Sequence, residues 1–316
     1  MRLFQKNKKF AGWLVVYMQP GSIFVASIKR LPSSRPQIEL ADCFAVDGAT
    51  VSTVLDKKAK ELHADQYEII HVLTGDEYQM LSVEAPNVPV DELRKAIRWR
   101  LKDMLDVHVD DVTIDVLDVP LDKNAVSRNH SMYAVCARNQ LVAQRQSLFD
   151  DAKLPLRVID IPEMAQRNIA SLFASEGRGL AMLSFDEQGG LLTISHAGEL
   201  YLSRRIDVSL RQLAEPNEES RKAAYERVTL ELQRSLDHFD RQYNHITLNK
   251  LLLAPLGKTV KGLDTHLAEH LYVPVEIVDL TAVMDFTAVP LLRSAEAQQK
   301  YFMALGAALR LEEAVL

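Results

Sequence analysis

Apolar residues dominate Trp13 to Met18 and Ser22 to Lys29, and the two runs meet at Gln19-Pro20-Gly21, which predicts two buried strands joined by a tight turn. The polar stretch Leu31 to Gln37, with Pro32 and Pro36, leads to a third strand near Ile38 to Phe44, and a helix follows over about 51–62. Tyr67 to Leu73 and Tyr78 to Val83 read as apolar strands on either side of Thr74-Gly75-Asp76. The period then lengthens: Val90, Leu93, Ile97, Leu101 and Met104 recur at helical spacing while Arg94, Lys95, Arg98, Arg100 and Lys102 crowd the other faces. Asp91 stands where an N-cap belongs, since its carboxylate would satisfy first-turn amides, and the basic residues beyond it suit the negative end of the helix dipole. A basic face of this kind is more often a solvated surface than a docking one. Strands over 113–119 and 132–137 flank a polar loop that begins at Asp122, and a helix from about Asn139 to Ala152 closes this half.

The second half repeats the logic. Leu180 to Phe185, Leu191 to His196 and Glu199 to Arg204 predict a three-strand meander, with Gly189-Gly190 and Ala197-Gly198 in its turns. From Glu218 to Tyr243 the residues Tyr225, Val228, Leu232, Ser235, Phe239 and Tyr243 share one face of a long, otherwise charged helix. A strand over 248–254, a short helix over 262–271 and a strand over 275–278 follow. Two halves that each open with a meander and continue in helices suit a duplicated α/β core.

At 316 residues the chain exceeds the usual size of one core, so at least two lobes are expected. A net charge of -6 provides no basic field for nucleic acid, which is excluded as a partner. Cys43 and Cys136 lie far apart in apolar runs, as expected of buried thiols in a reducing compartment. Arg2, Lys6, Lys8 and Lys9 before an apolar run imitate a signal peptide. The run stops at Gln19-Pro20-Gly21 without a small-residue cleavage site and resumes at once, so the strand reading is preferred. No stretch approaches the roughly 20 apolar residues of a spanning helix. The basic leader is left as a weak, peripheral contact for anionic lipid.

Several segments carry a family resemblance. An apolar strand followed by Pro86, Val88-Pro89, Glu92-Leu93, Ala96-Ile97 and Trp99 resembles the inserted subdomain of the PilM group of pilus-assembly actin-like proteins, to which the cytoplasmic part of GspL is related. Tyr133 to Arg138 with Leu148 to Ile161, including a strand that ends in Asp160, resembles the family's return to its core. Glu231 to Phe239 resembles its long helix, and Ala304 to Arg310 its closing helix. The likeness spans nearly the whole chain and is nearest to the MSHA-pilus branch. It implies an α/β, actin-like (ribonuclease H-like) two-lobed fold with an inserted α+β subdomain: a first lobe over 1–160 with the insertion at about 35–150, and a second lobe over 161–316. It also implies a cytoplasmic scaffold, peripheral to the inner membrane, that binds the N-terminal tail of a PilN-like single-pass protein (MshJ in the MSHA branch) beside other platform components. Val83, Pro86, Leu93, Ile97 and Trp99 are expected near that groove.

In actin-like ATPases two hairpins clasp the phosphates, each with an Asp before a Gly-rich turn that holds the magnesium while bare amides approach the phosphate. Here Gly21-Ser22 marks the first turn, with Tyr17 or Met18 in the Asp position and Val25 where a phosphate-binding Lys would lie. In the second, Gly189-Gly190 is present but Asp186 is displaced toward the turn, with Ser184 nearer the expected place. The adenosine turn reads Leu253-Ala254-Pro255-Leu256-Gly257, and proline removes an amide donor there. Glu231, Arg234 and Ser235 keep the helix pattern that faces ribose and base in such relatives, although Arg234 equally suits a surface ion pair with Glu231 or Asp237. The expectation is a degenerate cleft with no catalytic residue, no metal and no cofactor; the alternative is an ATP-magnesium-binding ATPase that switches the platform by lobe closure.

Two rival motifs are weaker. His266-Leu267-Ala268-Glu269-His270 matches the H-x-x-E-H zinc-peptidase signature, but Leu263, Leu267 and Leu271 form the stripe of a brief helix and no third ligand is placed. Gly257-Lys258-Thr259 has the end of a P-loop without its first glycine, Leu252 standing there, and reads as a polar turn.

Overall fold

The computed structural model describes residues 12–30, 34–48, 50–120 and 130–311. The basic leader and nearly all of the polar loop from Asp122 lie outside them. The first part runs β1 (Trp13–Gln19), β2 (Ser22–Lys29), β3 (Gln37–Ala45), α1 (Val51–Glu61), β4 (Glu68–Val72), β5 (Tyr78–Glu84), α2 (Val90–Leu101), β6 (Val112–Asp118), β7 (Ser131–Arg138), α3 (Asn139–Asp151) and β8 (Leu156–Asp160). The second continues with α4 (Pro162–Ser171), β9 (Gly179–Phe185), β10 (Gly190–His196), β11 (Glu199–Ile206), α5 (Leu210–Leu213), α6 (Glu218–Gln242), β12 (Leu248–Leu253), α7 (Leu263–His270), β13 (Val275–Ile277) and α8 (Ala295–Ala308).

Duplication is plain in the strand order. One five-stranded sheet runs β3-β2-β1-β4-β8 and the other β11-β10-β9-β12-β13, each an antiparallel meander extended by two parallel strands. Between β4 and β8 the first lobe carries a separate three-stranded sheet, β5-β7-β6, with α2 packed on it through Val83, Ile97, Leu101 and Ala134. The inserted sheet therefore begins near Tyr78 rather than near residue 35, because β3 and β4 pair within the main sheet. Helix α2 also begins earlier than expected: Pro89 takes the cap position without a side-chain bond, and Asp91 is already inside the helix.

Alternation along the strands sends side chains to two kinds of core. On one face of the first sheet Leu14, Val16 and Ile69 meet Leu55 of α1 and Phe149 of α3. On the outer face of the second sheet, Leu183, Ile194 and Leu253 meet Val228, Leu232 and Phe239 of α6. The remaining faces look toward each other across α4 and α8, which share a single cluster with Val15, Ile70, Met182 and Leu252. Helix α8 comes from the end of the chain yet packs on β1 and β2, so the two halves are laced together.

Where α4 crosses α8 there is no room for a side chain. A Cβ on Gly306 would lie 2.7 Å from the carbonyl carbon and 3.1 Å from the Cα of Ala165. Around it, the buried Gln166 amide donates to the carbonyls of Met182 (2.7 Å) and Leu191 (3.1 Å) and accepts from Ser184 Oγ (2.6 Å). Asn168 Nδ2 donates to the Gly306 carbonyl (3.0 Å). Asp160, buried at the end of β8, accepts from Arg310 just beyond α8 (3.0 Å), although burial raises its pKa.

Helix propensity alone favours alanine over glycine by about 1 kcal/mol. At Gly306 the backbone contact outweighs it, and Gly306→Ala is expected to destabilise by roughly 2–3 kcal/mol in denaturant unfolding. A second expectation concerns His71, whose Nδ1 lies 3.0 Å from the Val16 carbonyl and whose pKa burial lowers from 6.5 to about 4. The folded state keeps this ring neutral, so the unfolded chain takes up the proton first. Stability should fall by about 3 kcal/mol as pH drops from 7 to 4, and His71→Phe should flatten that part of the profile.

Candidate functional site

A cavity of about 890 Å³ opens between the lobes, where the tips of the β1-β2 and β9-β10 hairpins face the start of α8. Gln19, Ser22 and Phe24 line it from the first hairpin, Asp186 and Glu187 from the second, and Pro290, Lys300 and Tyr301 from the other side. This is the position in which two phosphate-clasping hairpins would meet a nucleotide.

Two amides of the second hairpin's turn are engaged by the chain itself. Asp186 Oδ1 accepts from the backbone N–H groups of Gln188 (2.8 Å) and Gly189 (3.0 Å), so one carboxylate fills the anion-binding nest of its own turn. Across the cleft, Gln188 Oε1 accepts from the Gly75 N–H (3.1 Å) and its Nε2 donates to Asp76 Oδ1 (2.8 Å). Hydrogen bonds from Thr74 and Gln188 hold the Asp76 carboxyl below its usual range. The glycines serve packing: a Cβ on Gly189 would fall 2.8 Å from the Ile206 carbonyl oxygen, and one on Gly190 2.6 Å from the Phe185 ring. Gly21 adopts a left-handed turn with φ 76°.

Behind the hairpins sits a polar cluster that sequence spacing did not single out. Glu163 of α4, 1% exposed, accepts from Tyr78 of β5 and pairs with Arg205 of β11 at 3.2 Å. Arg205 also donates to the Tyr78 hydroxyl and lies over its ring, 5.4 Å from the centroid. Burial and the Glu163 charge push the Tyr78 hydroxyl well up. Tyr17, one of the two residues at the expected Asp position, is buried with its pKa pushed up to about 12, chiefly by desolvation. No motif links residues 78, 163, 188 and 205, and only the fold brings them near one another.

Of the residues expected at the cleft, Ser22 and Asp186 line it, with Gly21, Gly189 and Gly190 in the adjoining turns. Glu231, Arg234 and Ser235 do not line it. Glu231 and Arg234 pair with each other at 3.1 Å on the exposed side of α6, and Ser235 is buried, donating to the Glu231 carbonyl at 2.6 Å. Gly257 is packed against Gln299, and Lys258 pairs with Glu296 at 3.4 Å in a turn closed by Val260 N–H on the Gly257 carbonyl (3.2 Å).

The residues expected near the partner groove do not share one surface. Val83 and Ile97 are buried in the core of the inserted subdomain with Leu93 packed against them, so the apolar stripe of α2 is spent inside the insertion. Pro86 is half-buried in the loop before α2. Trp99 points to solvent, 77% exposed, with the Lys102 ammonium 5.7 Å from its ring centroid. A different cavity of about 280 Å³ lies where the first lobe meets the insertion, lined by Glu77, Gln79, Leu105, Val107, Arg138 and Leu141. At the H-x-x-E-H segment, His266 and His270 stack at 4.4 Å and His270 Nδ1 lies 2.7 Å from the His266 carbonyl. Among the described residues, no three metal-binding side chains converge.

No protein-family model matches the chain, and no curated protein matches its sequence. Solved structures do match its shape. One chain of a "PilM-PilN type IV pilus biogenesis complex" superposes with a TM-score of 0.71 at 18% identity, covering 94% of this chain and 97% of that one. A Bacteroides thetaiotaomicron protein with actin-like ATPase fold and unknown function gives a TM-score of 0.50 at 11% identity, covering 93% and 99%. The cytoplasmic domain of EpsL, an inner-membrane component of the type II secretion system of Vibrio cholerae, gives 0.42 at 15% identity, covering 66% and 76%. The chain thus has the actin-like α/β fold. Among the described residues, no helix is long and apolar enough to cross a membrane.

Removing the buried acid of the polar cluster leaves Arg205 and Tyr78 without their common partner. Glu163→Ala is expected to cost about 2–3 kcal/mol in denaturant unfolding, less than a fully buried pair because Arg205 is partly solvated. Glu163→Gln, which still accepts from Tyr78, should cost less.

Proposed function

We propose that this chain is a nucleotide-independent adaptor of a pilus or secretion assembly platform, of the PilM kind, resting in the cytoplasm against the inner membrane through its partner. The observation that carries the reading is the self-capped cleft: the Asp186 carboxylate occupies the nest where a phosphate would sit, and a second anion there would meet its like charge. The fold likeness over 94% of the chain to a protein solved in a pilus complex supports the platform role. ATP hydrolysis is disfavoured by the same geometry, since Tyr17 provides no metal ligand and the Gly75 and Gly189 amides are engaged. The partner is a PilN-like single-pass protein; the MSHA branch, with MshJ as that partner, is the finer assignment.

Its tail is assigned to the cavity between the first lobe and the insertion, where Leu105, Val107 and Leu141 offer apolar contact and Glu77 and Arg138 offer polar ends. Calorimetric titration tests both parts. The tail peptide of a PilN-like partner should bind, Leu141→Glu should weaken it at least tenfold, and ATP with magnesium should give no binding heat. Magnesium-dependent ATP binding would sink the adaptor reading.

A further inference from the structure

The cavity between the lobes has walls unlike those of a phosphate site. Phe24 and Tyr301, packed edge to face at 5.2 Å, join Phe185 and Val289 in an apolar lining. Leu291 lines the same cavity while remaining 89% exposed, on a turn that opens at Pro290. Its exposed side chain carries the apolar lining out to the rim of the cleft. The charges around it are Asp42, Asp186, Glu187 and Glu296 against Lys300. Asp186 is engaged by its own turn, Glu296 faces Lys258, and Asp42 gives one oxygen to the Cys43 N–H (2.8 Å), so that its other oxygen and the Glu187 carboxylate remain at the opening, both residues being exposed.

Such a surface discriminates by sign. An anion entering it meets acidic side chains, whereas a cation is drawn in and its neighbouring apolar groups find aromatic walls. The volume of about 890 Å³ lies within the roughly 300–1,000 Å³ typical of occupied pockets. We propose that this cleft holds a cationic, apolar segment of a partner protein, its lysine or arginine side chains against Asp42 and Glu187 and its apolar side chains against Phe24, Phe185 and Leu291. This assignment rests on the cleft being free of nucleotide and adds a second docking site to the one at the insertion.

Fluorescence anisotropy of the full chain with a labelled KLFKLLKF peptide tests it, with ELFELLEF as the sign-reversed probe. The lysine peptide should bind and the glutamate peptide should bind at least tenfold more weakly. Asp42→Asn with Glu187→Gln should weaken the lysine peptide about tenfold, and Leu291→Ser about threefold, since neither change touches the core. The same charge change on the outer side of α6, Glu226→Gln with Asp237→Asn, should alter binding less than twofold. Equal losses in the cleft and α6 variants would show attraction to the net negative surface alone and overturn the proposal, as would equal affinity for both peptides or no binding. Displacement of the peptide by ATP with magnesium would overturn the adaptor reading itself. Unchanged binding in the cleft variants, with ATP inert, would overturn only the cleft assignment.

Discussion

Everything in this molecule is hung on one close crossing of helices. Helices α4 and α8 approach so nearly that only glycine fits at position 306, and each helix carries one of the two sheets on its far side. Buried amides fix the crossing further: Gln166 binds two carbonyls of the second lobe, and Asn168 holds the Gly306 carbonyl. These polar groups are costly to bury unless every partner is met, so they admit one arrangement of the lobes and penalise others. The Asp160–Arg310 pair ties the last helical turn to the end of β8 by the same logic.

That arrangement places two hairpin tips opposite each other, and the chain fills the space between them with its own groups. Gln188 reaches from one tip to the Gly75 amide and the Asp76 carboxylate, while Asp186 turns back on its own amides. Beneath them Glu163, Tyr78 and Arg205 join α4, the inserted sheet and β11. The insertion is therefore fixed to the second lobe through one buried acid.

Much of this was legible in the sequence because burial writes a period. The hairpin strands and the meander of the second half show as unbroken apolar runs because both their faces are covered, and the long helix over 218–242 shows as a helical period. Helix α4 left no such trace, since eight of its ten residues are buried and Glu163, Gln166 and Asn168 are among them, so polarity does not mark its exposed side. The stripe Val83, Leu93 and Ile97 illustrates a second limit: periodicity reports that a face is covered, not what covers it, and here the cover is the insertion itself. The turn glycines show a third. Gly189 and Gly190 suit a phosphate loop and a crowded hairpin equally well, and only the positions of Ile206 and Phe185 distinguish the two.

The Gln188 bridge has a mechanical meaning. In a body joined only by a helix crossing at its base, the lobes can swing like jaws. Here the β9-β10 tip is also stitched to the loop between β4 and β5, through two hydrogen bonds from the Gln188 side chain to the neighbouring Gly75 and Asp76. A body fastened at both ends behaves as a strut: a pull on the insertion would be passed to the second lobe as displacement of the whole, with little absorbed as opening. In the adaptor role proposed above, such stiffness would let position itself carry the signal.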